Sequence, residues 1–157
     1  MMGCGKTTVA KELEKQGFTA VDTDALIVER YGSIDKIFAE HGEEYFRNIE
    51  TQITAEVAKN YTNAVISVGG GCVLRAENVK NLKATGKIFY LKTSAETIIK
   101  RLKGDSTRPL LKGGLEQKVN SILAARAAIY ESVADEAVET DGLSPKQIAE
   151  IIKGKTV

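Results

Sequence analysis

The feature that most limits what this chain can fold into lies within its first eight residues. The segment Gly3-Cys4-Gly5-Lys6-Thr7-Thr8 supplies the last part of the pattern G-x-x-x-x-G-K-[ST], and a helical pattern follows it directly. The backbone N–H groups of such a loop surround phosphates at the positive end of a helix dipole. The pattern therefore predicts a nucleoside triphosphate site, with Lys6 on the β- and γ-phosphates and Thr7 on Mg²⁺.

The same motif lacks its beginning. Its first glycine would stand one residue before Met1, and the strand that carries the loop would precede that glycine. Such a strand is central in an α/β sheet, and its neighbours would lose ladder partners without it. We therefore expect the natural protein to begin about ten residues upstream, the length of a short strand and its turn.

Helical and strand patterns alternate along the rest of the chain. Strands separated by helices pair in parallel, so the alternation predicts an α/β sandwich with ligands at the carboxyl ends of the strands. Strands are predicted at residues 18–21, 64–68, 87–91 and 137–139, and helices at 6–16, 25–31, 34–39, 43–60, after 93, at 115–134 and after 144.

Local signals predict three helix ends. Gly17 can end the first helix in the left-handed conformation. Thr93, with Glu96 three residues later, has the spacing of a capping box, which predicts Thr93 as an N-cap. Ser144 is the predicted N-cap of the last helix, with Pro145 in its first turn.

Composition excludes several classes of partner. The 157 residues carry a net charge of only +1, with acids and bases interspersed, which gives no reason to expect nucleic acid or an anionic membrane. No apolar run approaches the roughly 18 residues of a membrane span, so we expect a cytoplasmic protein. Two cysteines, Cys4 and Cys72, make neither a disulfide framework nor a zinc site.

Two carboxylates follow the first predicted strand. Asp22 and Asp24 would repel a triphosphate unless a metal or a hydroxyl stood between them. One can hold Mg²⁺, and the other can accept the proton of a substrate hydroxyl as the phosphoryl group arrives. Ser67 stands where an ordinary Walker B strand carries aspartate, which favours Asp22 as the metal carboxylate. A plain helix N-cap at Asp24 is compatible with these roles.

Two arginines are candidates for holding an anion. Arg47 and Glu50 are three residues apart on one helix face, and spacing alone favours a solvated ion pair. Arg126 is flanked on both sides by pairs of alanines, so it needs an anionic partner if it is buried. A carboxylate suits the fork of a guanidinium group.

Two further segments could approach the ligands. Three glycines, Gly69, Gly70 and Gly71, follow a predicted strand; they could admit a ligand close to the backbone or simply form a tight turn. Arg108 lies in a polar segment at 104–114. It could close over the phosphates and neutralise charge on the γ-phosphoryl oxygens, or be an ordinary surface arginine.

These segments, in this order, resemble the shikimate kinase family. The matching pieces are GCGKTT, VDTD, FRNIE, SVGGG, RPLL and the helix of Arg126, and they span almost the whole chain. The resemblance implies a single domain over residues 1–157, a P-loop kinase with a five-stranded parallel sheet whose first central strand is missing here, and a lid around 104–114. It also implies a cytoplasmic monomer that uses ATP and Mg²⁺ to phosphorylate the 3-hydroxyl of shikimate, a step towards chorismate and the aromatic amino acids.

Position by position, the resemblance assigns a role to each matching residue. The implied catalytic residues are Lys6, Asp24 and Arg108, and the implied Mg²⁺ ligands are Thr7 and Asp22. The implied nucleotide contacts are Gly3, Cys4, Gly5, Lys6, Thr7, Thr8, Arg101, Arg108, Ser144 and Pro145. The implied shikimate contacts are Asp24, Arg47, Glu50, Gly69, Gly70, Gly71 and Arg126.

Two alternatives remain open on the sequence. One is another small-molecule kinase of the same group, which the acceptor that supports ATP turnover would reveal. The other is a catalytically inactive binding relative, against which the presence of Lys6, Asp24 and Arg108 argues. A regulatory GTPase is disfavoured because the chain contains no N-K-x-D guanine motif.

Overall fold

The computed structural model describes residues 1–104 and 114–156 as an alternation of short strands and helices. The strands of this part of the chain are β1 (Thr19–Asp22), β2 (Ala64–Ser67), β3 (Phe89–Lys92) and β4 (Glu136–Glu139). Its helices are α1 (Lys6–Lys15), α2 (Thr23–Tyr31), α3 (Ile34–Asn60), α4 (Ala76–Lys83), α5 (Ala95–Lys103), α6 (Leu115–Val133) and α7 (Pro145–Thr156), with a 3-10 turn at Cys72–Leu74.

The strands form two parallel pairs, as their separation by helices predicts. In the first pair β1 lies beside β2, with Asp22 opposite Ser67, so both strands end at the same level. In the second pair β3 lies beside β4, with Phe89 opposite Glu136. No ladder joins β2 to β3 within residues 1–104 and 114–156.

Helices cover both faces of these strands. Side chains alternate along a strand, so neighbouring residues report opposite faces. On β3, Leu91 packs in a cluster with α1 and α7, whereas Tyr90 packs in a cluster with α5 and α6. On β2, Val65 joins the α1–α7 side and Ile66 joins the cluster of α2 and α3. The α/β sandwich is therefore confirmed, and no helix in its described part is both long and apolar enough to cross a membrane.

The longest helix, α3, contains one break. Gly42 has φ 83° and ψ 174°, which is not helical, so the span consists of two helices that meet at this residue. The two helices predicted at 34–39 and 43–60 are thereby confirmed. The second carries the expected apolar stripe, and all four of its residues are buried: Phe46, Ile49, Ile53 and Val57.

One predicted helix start is wrong by a residue. The N-cap of α5 is Ser94, whose hydroxyl accepts a hydrogen bond from the N–H of Thr97 at 3.2 Å. Thr93 cannot serve because its side chain turns into the core, where its oxygen lies 2.6 Å from that of Thr140. The predicted start of α7 is confirmed, with Ser144 accepting from the N–H of Gln147. The sequence did not predict α4 or the 3-10 turn before it.

The joint in α3 depends on glycine, and replacing Gly42 by alanine tests this. The added Cβ would meet no atom within 4 Å, so the cost lies only in a backbone conformation that L-residues rarely adopt. We expect the free energy of unfolding, measured by chemical denaturation, to fall by about 1–3 kcal/mol. Gly154→Ala in α7 is the control, since it also meets nothing within 4 Å and should be neutral or stabilising by up to about 1 kcal/mol. Equal effects of the two substitutions on the free energy of unfolding would contradict the dependence of the α3 joint on glycine.

Candidate active site

A cleft of about 970 Å³ opens at the carboxyl ends of β1 and β2. This is where ligands gather in parallel α/β sheets, because the loops that leave neighbouring strands meet there. The predicted site residues that line it are Gly3, Gly5, Lys6, Thr7, Thr8, Asp22, Asp24, Arg47, Glu50, Gly69, Gly70, Gly71 and Arg126. The structure therefore brings most of the predicted site together in one place.

The phosphate loop forms one wall of the cleft and leads directly into α1. Gly5 is the residue before the helix, and its φ of 94° makes the turn from loop to helix. The ammonium group of Lys6 donates a 2.7 Å hydrogen bond to the carbonyl oxygen of Met1. Cys4 is buried beneath the loop and donates to the same carbonyl, so it shapes the loop without lining the cleft.

Asp22 and Asp24 stand side by side but have different surroundings. Asp22 is the N-cap of α2, and its Oδ1 accepts a 3.1 Å hydrogen bond from the N–H of Ala25. The interpretation of Asp24 as the cap is therefore wrong. The helix begins at Thr23, so Asp22, which precedes it in an extended conformation, is the residue whose side chain can accept from a free N–H of the first turn. Asp24 belongs to the first turn and lines the cleft.

Burial raises the pKa of Asp24 above its ordinary value of 3.8. The negative charge of Asp22 raises it further, while Lys6 and Arg47 oppose the shift. Burial likewise raises the pKa of Glu50, with Asp24 adding to the effect. The cleft thus holds two carboxyl groups whose anionic forms are less favoured than in water.

Arg47 and Glu50 form a buried ion pair. Nη1 of Arg47 donates to Oε2 of Glu50 at 2.8 Å, and the two side chains are 15% and 1% exposed. The solvated pair favoured by spacing alone is therefore wrong, because this face of α3 packs against the glycine run instead of facing water. A Cβ on Gly71 would lie only 2.7 Å from Cζ of Arg47, so the guanidinium group needs glycine there.

The glycine run is both a turn and a surface of close approach. The N–H of Cys72 donates to the carbonyl of Gly69 at 3.0 Å, which closes the turn. A Cβ on Gly69 would lie 3.1 Å from Oδ1 of Asp24 and equally far from Oε1 of Glu50. The sequence left two interpretations of the three glycines open, a tight turn and a backbone that other groups can approach closely. Both apply, since the turn is tight and charged side chains lie close to its backbone.

Of two other predicted arginines, one lines the cleft and one lies beside the phosphate loop. Arg126 extends from α6 into the cleft, is partly exposed, and pairs with none of the described carboxylates. Arg101 donates to the carbonyl oxygen of Gly3 at 3.1 Å. It also lines a second hollow of about 710 Å³ beside the phosphate loop.

Besides Cys4, three predicted residues are not placed in either hollow. Ser144 and Pro145 begin α7 and line neither the cleft nor the hollow of Arg101. Arg108, and with it most of the predicted lid, lies outside the described residues. The sequence in turn missed Tyr130, whose hydroxyl donates to the carbonyl oxygen of Gly70 at 2.7 Å. Its only signal was a position one helical turn after Arg126.

Comparison with known proteins identifies the family. The family model for shikimate kinase matches residues 2–155. A shikimate kinase from Caldicellulosiruptor bescii is 46% identical over 154 residues, covering 96% of this chain and 88% of the relative. A structure of the shikimate kinase from Acinetobacter baumannii in complex with shikimate superposes with a TM-score of 0.87 at 35% identity, covering 98% of this chain and 87% of that one. The Bacteroides thetaiotaomicron shikimate kinase structure gives 0.88 at 29% identity, with coverages of 98% and 93%.

The electrostatics of the paired aspartates can be measured without any substrate. We expect an NMR titration to place the pKa of the Asp24 carboxyl above 3.8. Asp22→Asn should lower it, because removing a neighbouring negative charge favours the Asp24 anion, while asparagine still caps α2. Asp35→Asn, an exposed carboxylate in the first turn of α3, is the control and should leave the pKa of Asp24 unchanged. An Asp24 pKa at or below the ordinary value would show that burial does not act as described.

Proposed function

The chain belongs to the shikimate kinase family, and from this we propose that its cleft transfers the γ-phosphate of ATP to the 3-hydroxyl of shikimate. The products are shikimate 3-phosphate and ADP, and the reaction serves chorismate and aromatic amino acid biosynthesis. One observation carries the proposal: a phosphate loop, the partly buried carboxylate of Asp24 and two arginines line a single cleft. The loop suits a triphosphate, and the carboxylate and arginines suit a hydroxylated acid.

The donor side consists of the phosphate loop and the start of α1. Backbone N–H groups and the helix dipole bind the phosphates, and Lys6 leaves the Met1 carbonyl to neutralise charge on the transferred group. Thr7 and Asp22 would hold Mg²⁺, and a bound Mg²⁺ would supply positive charge that offsets the negative charge of the phosphates. The two residues fit this ion, because both line the cleft and offer oxygen atoms as metal ligands. Oδ2 of Asp22 is available for this, since it accepts a hydrogen bond from no described residue. The described residues contain no cluster of three or more His, Cys, Asp or Glu side chains that could hold a metal ion.

The acceptor side consists of the arginines and the glycine run. Arg47 and Arg126 bind the carboxylate of shikimate, and both suit it because a guanidinium group pairs with a carboxylate in a planar fork. Glu50 holds Arg47 in place through the 2.8 Å ion pair. The backbone of Gly69, Gly70 and Gly71 forms the floor on which the ring lies.

Asp24 orients the reacting hydroxyl and accepts its proton. Its raised pKa makes it a stronger base than an ordinary aspartate, and its place beside Lys6 puts the proton acceptor next to the phosphate loop. A positioned base of this kind contributes about a hundredfold to ten-thousandfold to the rate. Arg108 is the remaining catalytic residue in the proposal and would neutralise charge on the transferred phosphoryl group.

The nucleotide base extends towards the hollow lined by Arg101. That side chain already contacts the phosphate loop through Gly3, so it can pack on adenine next to the phosphates. Ser144 and Pro145 would contact the adenine from the start of α7. We propose that the protein acts in the cytoplasm as a monomeric, single-domain kinase over residues 1–157.

The proposal includes a five-stranded parallel sheet. A further strand between β2 and β3 would pair with both strands and make one sheet from the two pairs. The packing supports this order, because Val65 of β2 and Leu91 of β3 belong to the same cluster on the α1–α7 side.

The direct test is ADP release with MgATP, in the presence and absence of shikimate. We expect release that depends on shikimate, and Asp24→Asn should lower kcat by about a hundredfold or more. The Asp24 variant should retain ATP binding better than Lys6→Ala, because Lys6 contacts the phosphates and Asp24 does not. Glu29→Gln, a charge change on the rim of the same cleft, is the control and should keep near-normal activity. Near-normal turnover in Asp24→Asn would remove Asp24 from the mechanism.

Gly71→Ala tests the placement of Arg47. The added methyl group would displace the guanidinium from beside the glycine run, so we expect KM for shikimate to rise by about tenfold, equivalent to 1.4 kcal/mol of lost binding. KM for ATP should change little, since Arg47 makes no contact with the phosphate loop and the loop keeps its own hydrogen bonds. Gly86→Ala, where a Cβ would meet only Leu82 O at 3.8 Å, should change neither KM. An unchanged shikimate KM in Gly71→Ala would show that Arg47 does not need its present position.

A further inference from the structure

Tyr130 makes a contact that links α6 to the floor of the cleft across 60 residues of sequence. Its side chain is 6% exposed, and its hydroxyl donates to the carbonyl oxygen of Gly70 at 2.7 Å. This is a full-strength geometry for an O–H···O hydrogen bond. The ring itself is held by Tyr90, whose ring centroid lies 5.3 Å away.

The bond fixes one peptide plane of the glycine run. In a trans peptide, the C=O of Gly70 and the N–H of Gly71 point in opposite directions within one plane. Anchoring the carbonyl on Tyr130 therefore turns the N–H of Gly71 away from α6. That N–H donates to no described residue, and Gly71 lines the cleft, so the donor remains available there.

Among the described residues, Tyr130 is the one donor to the Gly70 carbonyl. A Cβ on Gly70 would lie 3.2 Å from both the Tyr130 hydroxyl and Cα of Met1, so the phosphate loop, the glycine run and α6 meet at this residue. Glycine itself restrains its backbone weakly, because it has access to more conformations than any other residue. The hydroxyl of Tyr130 thus supplies the restraint that the glycine sequence lacks.

We propose that Tyr130 is a positioning residue. It orients the Gly70–Gly71 peptide and holds α6 at a fixed position beside it, so that this peptide and Arg126 of α6 can bind the acceptor together. Arg126 is one helical turn before Tyr130 on the same helix, so the bond that holds the floor also fixes the position of the arginine relative to it. The role rests on the proposed function, because the acceptor bound there is shikimate. Tyr130 touches no reacting atom; it acts through Gly70 and through α6.

Tyr130→Phe tests the role, because it keeps the ring and removes only the hydroxyl. The Gly70 carbonyl then loses its donor, and we expect KM for shikimate to rise by about fivefold to tenfold. KM for ATP should stay within about twofold, since the phosphate loop keeps its own contacts. Tyr90→Phe is the matched control, because the Tyr90 hydroxyl bonds no described residue while its ring packs in the same pair. It should change neither KM.

A second measurement needs no substrate. Hydrogen exchange of a peptide that covers residues 68–74 should be faster in Tyr130→Phe than in the unchanged protein and unaffected in Tyr90→Phe. Faster exchange together with a rise confined to the shikimate KM supports the proposal. An unchanged shikimate KM, or equal rises in both KM values with a lower melting temperature, would overturn it. Failure of the proposed function can be distinguished from failure of this inference. If the proposed function is wrong, the unchanged protein does not turn over shikimate, while the exchange comparison still shows whether Tyr130 holds the glycine run.

Discussion

The ion pair between Arg47 and Glu50 is the interaction on which the rest of the site depends. Taking two charges out of water is costly, and their attraction offsets this only with good geometry. Here the pair is closed at 2.8 Å, and the missing side chain at Gly71 leaves room for the guanidinium. Without Arg47, Glu50 would be an uncompensated buried anion beside Asp24. The pair therefore allows three charged groups to share one small space against the glycine run.

That arrangement links the fold to the chemistry. Parallel pairing of β1 and β2 ends both strands at one level, which places Asp24 next to the glycine run. The α3 helix brings Arg47 to the same floor, and α6 brings Arg126 and Tyr130 from the other side. Each element carries its functional side chains at its end or along one face, so small shifts between elements would change acceptor binding before they changed stability.

The sequence predicted the parts that local pattern determines. The phosphate loop, the buried stripe of α3 and the capped start of α7 each follow from residue types at fixed spacings. The gathering of Asp24, Gly69–Gly71 and Arg126 in one cleft was also predictable, because all of them follow strands or lie on the matching helices of a parallel fold.

What the sequence could not predict are contacts that depend on packing between distant segments. The spacing of an arginine and a glutamate three residues apart is the same on a solvated helix face and on a buried one, so the burial of Glu50 could not be predicted from the sequence pattern. The start of α5 was misplaced because Thr93 and Ser94 both carry a hydroxyl, and only the core contact of Thr93 with Thr140 decides between them. The bond from Tyr130 to Gly70 could not be predicted, because it joins residues 60 positions apart, and the place of Tyr130 one helical turn after Arg126 does not indicate its partner.

We propose that this cleft recognises the carboxylate of shikimate through the Arg47 guanidinium, which is held by the buried Glu50. Calorimetric binding of shikimate and of its methyl ester tests it most directly, because the ester keeps the ring and hydroxyls and loses only the charge. We expect shikimate to bind and the ester to bind at least about tenfold more weakly, a difference of 1.4 kcal/mol or more. Equal affinity for the two compounds would contradict it.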